Sequence, residues 1–398
     1  MSDVAAKRAV PALIGAVAAY SVALGAVYAA LGVALKEGGH TSSAIAISAA
    51  MTPLGLMTSA AILSRFGRGS IFRWLIAGIV GTAATMIFHG ILPFYPAWLV
   101  LRFLLGFVAN ILFLFGESAL MMVLGDRQRG KILGTYNGLV TLGYATGPFL
   151  VAALAGVGPL GAVAACSVIV LCAIVPVIWA KAELDFLLPA REKTTGFLPL
   201  FAVAPALFIA SSATAIFDNG FLALFPAYGI DSGLSSQHAL FLLGVALVGA
   251  TILQWPIGAL CDRWGAALVL RFAAAITVAT MLTLPYTIHI SALAPIILFL
   301  AGGGAFGAYS AVLVLVSQRF AGHSLILAKA LLSMMWGVGS FVGVPIIGAS
   351  MDAIHLQAFG PAVVWPFILL TVLIFFQNRR PFMVIKNEPM EEHHAQEK

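Results

Sequence analysis

Charge is scarce in this chain. Aspartate, glutamate, lysine and arginine make up 9% of its 398 residues, and apolar residues make up 61%. Soluble domains carry roughly a quarter charged residues. At a mean hydropathy of +1.04, the apolar surface is too large for one water-soluble core, so lipid is the second phase. Cysteine is scarce too, with three residues. Cys166 and Cys172 fall on one predicted helix without sharing a face, and Cys261 falls in a short loop. That pattern excludes a disulfide framework, and no Cys-x-x-Cys or Cys/His cluster signals a metal site. A Gly-x4-Gly-Lys-Ser/Thr phosphate loop is missing, which argues against direct drive by ATP. Neither HExxH nor a nucleophile elbow is present, so the chain is not expected to be an enzyme, and no cofactor is implied. The basic balance (pI near 9.3) does not point to nucleic acid, because the basic residues sit in short clusters between apolar runs, where they orient helices in a membrane.

Long apolar runs are what the chain has instead. Val10 to Leu35 is free of charge and exceeds the roughly 20 residues a spanning helix needs. A signal peptide has a shorter apolar region followed by a small-residue cleavage site. Here apolar runs recur to the C-terminus, so the first is expected to be an uncleaved helix. Glycine, proline and charged punctuation predict twelve spans: 9–35, 43–63, 72–92, 97–124, 132–156, 160–181, 197–228, 237–260, 267–288, 292–317, 326–350 and 360–378. The charged interval Ala182 to Gly196 divides them six and six. The expected organisation is an N-terminal bundle over 1–181, a cytoplasmic central loop over 182–196, a C-terminal bundle over 197–380 and a disordered, polar tail over 381–398. His393 and His394 in that tail read as solvated.

Orientation follows from the basic residues. With the N-terminus inside, 19 of the 21 lysines and arginines fall in cytoplasmic segments. Lys36 alone falls outside, and Arg102 falls within a span. The positive-inside bias therefore predicts cytoplasmic termini and a cytoplasmic central loop.

The two halves repeat one another. Gly258-Ala259-Leu260-Cys261-Asp262-Arg263-Trp264-Gly265 lies between two apolar runs, and some 198 positions earlier Ala60-Ala61-Ile62-Leu63-Ser64-Arg65-Phe66-Gly67-Arg68 does the same. Two six-helix halves with this loop in both resemble the major facilitator superfamily. Its loop pattern, Gly-x-x-x-Asp-Arg-x-Gly-Arg/Lys, is met at Gly258, Asp262, Arg263 and Gly265, and in the first copy at Arg65, Gly67 and Arg68. Ser64 replaces the Asp that, in the family, helps lock the halves on the cytoplasmic side. Arg102 and Gly106 look like the family's Arg-x-x-x-Gly motif, linked to proton coupling. Gly134, Gly143, Gly147 and Pro148 match the spacing of the family's antiporter motif, with Val151 in place of its last Gly. Gly339, Gly343, Pro345 and Gly348 echo it in the second half. The resemblance extends to about Arg380. It implies an all-α polytopic membrane protein of twelve helices in two pseudo-symmetric bundles. Small residues also let helices approach closely in lipid, and Gly-Pro pairs bend helices, so Gly143, Gly147, Pro148, Gly343 and Pro345 are expected to serve gating.

An ionisable residue within a span costs roughly 2.5–3.5 kcal/mol on insertion scales and needs a reason. Arg102 and Glu117 lie on the fourth span, roughly 22 Å apart at helical rise, so they do not pair. Asp218 lies on the seventh. A carboxyl in a low-dielectric cavity can load and release a proton near neutral pH. Asp218, Glu117 and Arg102 are the proton-coupling candidates, and Arg102 also reads as an anion partner. The rival reading for Asp218 is neutralisation by a neighbour such as Asn219, and Asp218-Asn219-Gly220 before Pro226 suggests a broken helix. Tyr20, Tyr28, Asn110, Asn137, Tyr144, Asn219, Gln254, Tyr309 and Trp336 are candidate substrate contacts. His89 reads as interfacial, near the outer end of the third span. Met121-Met122 and Met334-Met335 read as gap fillers rather than metal ligands.

The expected function is a secondary transporter of the bacterial inner membrane. It moves a small organic molecule by alternating access, with proton antiport first, and acts as a monomer in the bilayer without nucleic acid. Proton-coupled uptake of an organic acid or nutrient is the first alternative. A non-transporting membrane sensor with the same fold is the second.

Overall fold

A computed structural model describes residues 3–66, 69–92, 94–123, 126–186, 198–320 and 322–377. The first half is α1 (Asp3–Glu37), α2 (Ser42–Phe66), α3 (Ile71–Ile91), α4 (Tyr95–Val123), α5 (Asp126–Ala153) and α6 (Gly158–Cys172), continued by α7 (Ile174–Trp179) and α8 (Lys181–Leu184). The second half is α9 (Leu198–Val203), α10 (Pro205–Asp231), α11 (Ser236–Ile252), α12 (Gln254–Trp264), α13 (Ala266–Thr287), α14 (Leu293–Arg319), α15 (Gly322–Ala353) and α16 (Phe359–Gln377). Among the described residues, ten helical segments are long and apolar enough to cross a membrane, and the shorter apolar stretches Gly138–Ala153 and Leu356–Val372 complete twelve.

Proline accounts for where the helices depart from the predicted spans. The span 160–181 breaks at Ala173, between α6 and α7, because Pro176 has no N–H for the Cys172 carbonyl. The span 237–260 breaks at Leu253 for the same reason: Pro256 leaves the Ile252 carbonyl without its donor. The span 197–228 is two helices. α9 stops at Ala204, since the residue before a proline avoids helical geometry, and α10 starts at Pro205 and runs on to Asp231. The expected break at Asp218-Asn219-Gly220 is not there. α10 stays continuous through that step and through Pro226, and α5 and α15 stay continuous through Pro148 and Pro345.

The duplication is visible in the packing. α1 lies on α5 as α10 lies on α15, α2 on α4 as α11 on α14, α3 on α4 as α13 on α14, and α3 on α6 as α13 on α16. Small residues hold these crossings together. A Cβ added to Gly55 would strike the Phe103 carbonyl, and one added to Gly106 the Thr52 carbonyl. In the second half Gly249 stands against the Phe299 carbonyl and Gly302 against the Ala246 carbonyl. In lipid, where apolar surface gives no drive between helices, such backbone approach is the main source of packing energy.

The halves meet through α1 on α10, α2 on α15 and α5 on α11. One group of polar ties between them lies at the end of the bundle that carries the α1–α2 and α15–α16 turns, here the far end. There Lys36 pairs with Asp231 at 2.6 Å. Asp352 accepts from the backbone N–H groups of Ser42 at 3.0 Å and Ser43 at 2.7 Å, a carboxylate of one half placed at the positive N-terminus of a helix of the other. Ser236 donates to Glu37 at 2.6 Å, and Gln237 donates to the Ala152 carbonyl at 3.2 Å. α10 is the central helix: 78% of its spanning window is buried, against 39–61% for the other spans.

Candidate functional site

The site candidates divide into one cluster and several separate positions. Tyr28 on α1, Arg102 on α4, Tyr144 on α5 and Asp218 on α10 come together where the halves meet. The Arg102 guanidinium carbon lies 5.9 Å from the centre of the Tyr28 ring, within range of a cation–π contact. The rings of Tyr28 and Tyr144 are 6.1 Å apart and tilted 35° to one another. Asp218 acts electrostatically on both tyrosines. It makes no hydrogen bond or ion pair among the described residues. Asp218 is half-buried on the central helix. Three of the four residues belong to the first half and Asp218 to the second.

Asn219 does not neutralise Asp218. Its side-chain amide donates to Ser340 on α15 at 2.8 Å and to its own helix at the Ala215 carbonyl. Arg102 is 1% exposed, and its Nε and Nη2 have no hydrogen-bond partner. Arg102 and Asp218 each act electrostatically on Tyr28, and among the described residues neither is the ion-pair partner of the other.

Tyr20 backs this cluster from within the first half. It is fully buried, shares a 2.6 Å hydrogen bond with Thr82 on α3 and meets Phe113 edge to face. Tyr309 and Trp336 form a second aromatic pair on α14 and α15, with centroids 5.1 Å apart and some surface on each. Asn110 donates to the Leu56 carbonyl at 3.4 Å. Gln254 donates to the Ala250 carbonyl at 2.7 Å, beside the α11–α12 break. Glu117 is apart from Asp218. It lies further along α4 and acts on Tyr136 of α5. Gly67 and Arg68 lie outside the described residues, as do the side chains of Arg65 and Asn137.

The glycines assigned to gating sit at crossings inside each half. Gly143 faces Ser21 and Gly147 faces Gly25 and Ala26, all on α1, while Gly343 faces Ile216 on α10. Pro148 and Pro345 follow on the same helices. Asp262 and Arg263 are exposed, and among the described residues neither forms an ion pair. Gly265 ends α12 with φ +85, a conformation that favours glycine.

His89 corrects its sequence reading. It is not interfacial but fully buried. Its Nδ1 donates to the Thr85 carbonyl at 2.7 Å, its ring meets Trp98 edge to face at 5.8 Å, and it lies within electrostatic reach of Arg102. Apolar neighbours in sequence hid it, and only the α3–α4 pairing places it behind Arg102.

Comparison with known proteins bears on this arrangement. The family model described as Major Facilitator Superfamily matches residues 11–344. An uncharacterised MFS-type transporter of Enterobacter sp. (strain 638) is 24% identical over 292 residues, 73% of this chain and 74% of that protein. Among solved structures, a D-xylose–proton symporter superposes with TM-score 0.70 at 13% identity, covering 94% of this chain and 98% of that one. A bacterial homologue of the human lysosomal transporter Spinster, in an inward-facing and unoccupied conformation, superposes with TM-score 0.69 at 13% identity, covering 94% and 96%.

Proposed function

The chain belongs to the Major Facilitator Superfamily, and from that premise we propose that it is a proton-coupled secondary transporter in which Asp218 carries the proton. The observation that supports this most is the unpartnered carboxyl of Asp218 on the central helix, facing Tyr28 and Tyr144 across the junction of the halves. A carboxyl held in low dielectric without a fixed counter-charge exchanges protons readily. Its place between the halves lets each conformation offer it to a different side. The positive-inside pattern assigns the far end to the outer face of a bacterial inner membrane, with both termini cytoplasmic. The far-end contacts then correspond to a state closed on the outside.

Antiport of an amphipathic organic molecule is the mode implied by the motif at Gly134, Gly143, Gly147 and Pro148. Symport of an organic acid is the second reading, and the unpartnered Nε and Nη2 of Arg102 favour it. The test is reconstitution in liposomes with an imposed pH gradient, a substrate panel and a reporter of internal pH. Proton movement opposite to substrate supports antiport, and movement with it supports symport. Asp218→Asn is expected to abolish substrate-driven proton movement in folded protein. Unchanged proton movement in that variant would remove Asp218 from the mechanism.

A further inference from the structure

Arg102 has no built-in counter-ion. Its guanidinium is 1% exposed, and Tyr28 is the neighbour that acts on it electrostatically. The two unpartnered nitrogens are Nε and Nη2. These are the donors along one edge of the guanidinium plane, the edge that meets both oxygens of a carboxylate in a bidentate pair. Other unpartnered groups stand at the same level. α2 and α4 run parallel, with the Tyr95 hydroxyl donating to the Ala44 carbonyl, Thr52 against Gly106 and Asn110 donating to the Leu56 carbonyl. That register sets Ser48 opposite Arg102, and the hydroxyls of Ser48 and Thr52 are both buried without a partner. Buried polar groups are nearly always satisfied, so a group of them on one level needs an account. The His89 ring behind Arg102 donates through Nδ1 to Thr85, and an imidazole offers no negative charge to offset the guanidinium.

We propose that Arg102 binds the carboxylate of the transported molecule, with the Ser48 and Thr52 hydroxyls as further donors, and that the substrate is a small organic acid with an apolar or aromatic body. The inference rests on reading the junction of the halves as the substrate site. Tyr28 and Tyr144 supply the aromatic wall, and Asp218 forms no ion pair with Arg102 among the described residues, so the arginine is free for the substrate's carboxylate.

The purified full-length protein is titrated with benzoate, with its neutral isostere benzamide and with sodium chloride, following the melting temperature. Benzoate is expected to raise it saturably, and the other two are not. Arg102→Gln is expected to weaken benzoate binding by at least about tenfold, as loss of charge-assisted hydrogen bonds entails. Arg102→Lys is expected to recover only part of it, because a point charge lacks the fork. If Arg102→Gln does not fold, the lysine variant decides. The proposal is overturned if benzoate gives no shift, if benzamide matches it, if chloride replaces it, or if the arginine variants bind benzoate as the wild type does. The titration needs no proton gradient. A wild-type protein that couples protons but does not bind benzoate rejects the carboxylate site alone, and one that binds benzoate but does not couple protons rejects the coupling mode.

Discussion

Asp218 and Arg102 were legible as exceptions, since charge within an apolar run has to be explained. Their surroundings were not legible. Nothing local in sequence shows that Asn219 turns away to Ser340, that Arg102 lies over the Tyr28 ring, or that His89 is buried within reach of Arg102. These contacts join residues far apart in the chain, and they depend on which helix faces pair. Burying an unpaired cation costs roughly 2.5–3.5 kcal/mol on insertion scales, and a site kept for binding is commonly a site of reduced stability. Arg102→Met should therefore raise the melting temperature of the unliganded protein while transport is lost. A fall in melting temperature would mean that the guanidinium is held in place for structure. This readout is independent of any substrate.

Among the elements, the long uninterrupted helices were readable from apolar length. Their breaks were written in proline at Pro176, Pro205 and Pro256, each removing one donor from the helix ladder. The expected spans ran across those prolines, and the polar step Asp218-Asn219-Gly220 before Pro226 suggested a broken helix, although α10 passes through both. Glycine was read only through the family's motifs. Gly143, Gly147 and Gly343 lie at crossings, as does Gly106 of the Arg-x-x-x-Gly motif, but so do Gly55, Gly249 and Gly302, which belong to none of those motifs. The reciprocal placement of Gly55 and Gly106 on α2–α4 and of Gly249 and Gly302 on α11–α14 is the same crossing built twice. Gly106→Ala and Gly302→Ala should each destabilise by about 1–3 kcal/mol, the usual cost of forcing atoms into a packed contact. Gly258→Ala, with open space around its Cβ, should be neutral or slightly stabilising, since alanine is the better helix former. Thermal denaturation of the three variants in one detergent checks the order, and equal effects would contradict the crossing account.

For the molecule as a whole, composition and the repeat predicted a two-bundle membrane protein, and that is the fold. The far-end seal was partly visible beforehand, because Lys36 was the one basic residue set against the inside pattern. Its partner Asp231 and the cap supplied by Asp352 were not, since they lie on the other half. Exposed ion pairs and single hydrogen bonds contribute on the order of 1 kcal/mol each. A seal of this kind is therefore firm enough to favour one state and weak enough to open in each cycle, as states a few kcal/mol apart require. Lys36→Gln combined with Asp352→Asn should shift the population towards an open far end, read as faster labelling of a cysteine placed there. Unchanged labelling would show that apolar packing, not these contacts, holds the seal.

The most direct test of alternating access is a pair of distances measured in one sample by spin-label spectroscopy. Phe94 and Ile290, 53% and 48% exposed, stand 196 positions apart in equivalent turns at the far end. Ile62 and Trp264, 42% and 53% exposed, mark the opposite end in the two halves. Lowering the pH or adding transported substrate should lengthen one distance while shortening the other, and Asp218→Asn should suppress the response to pH. Distances that stay fixed, or that change at one end without the opposite change at the other, would contradict the account.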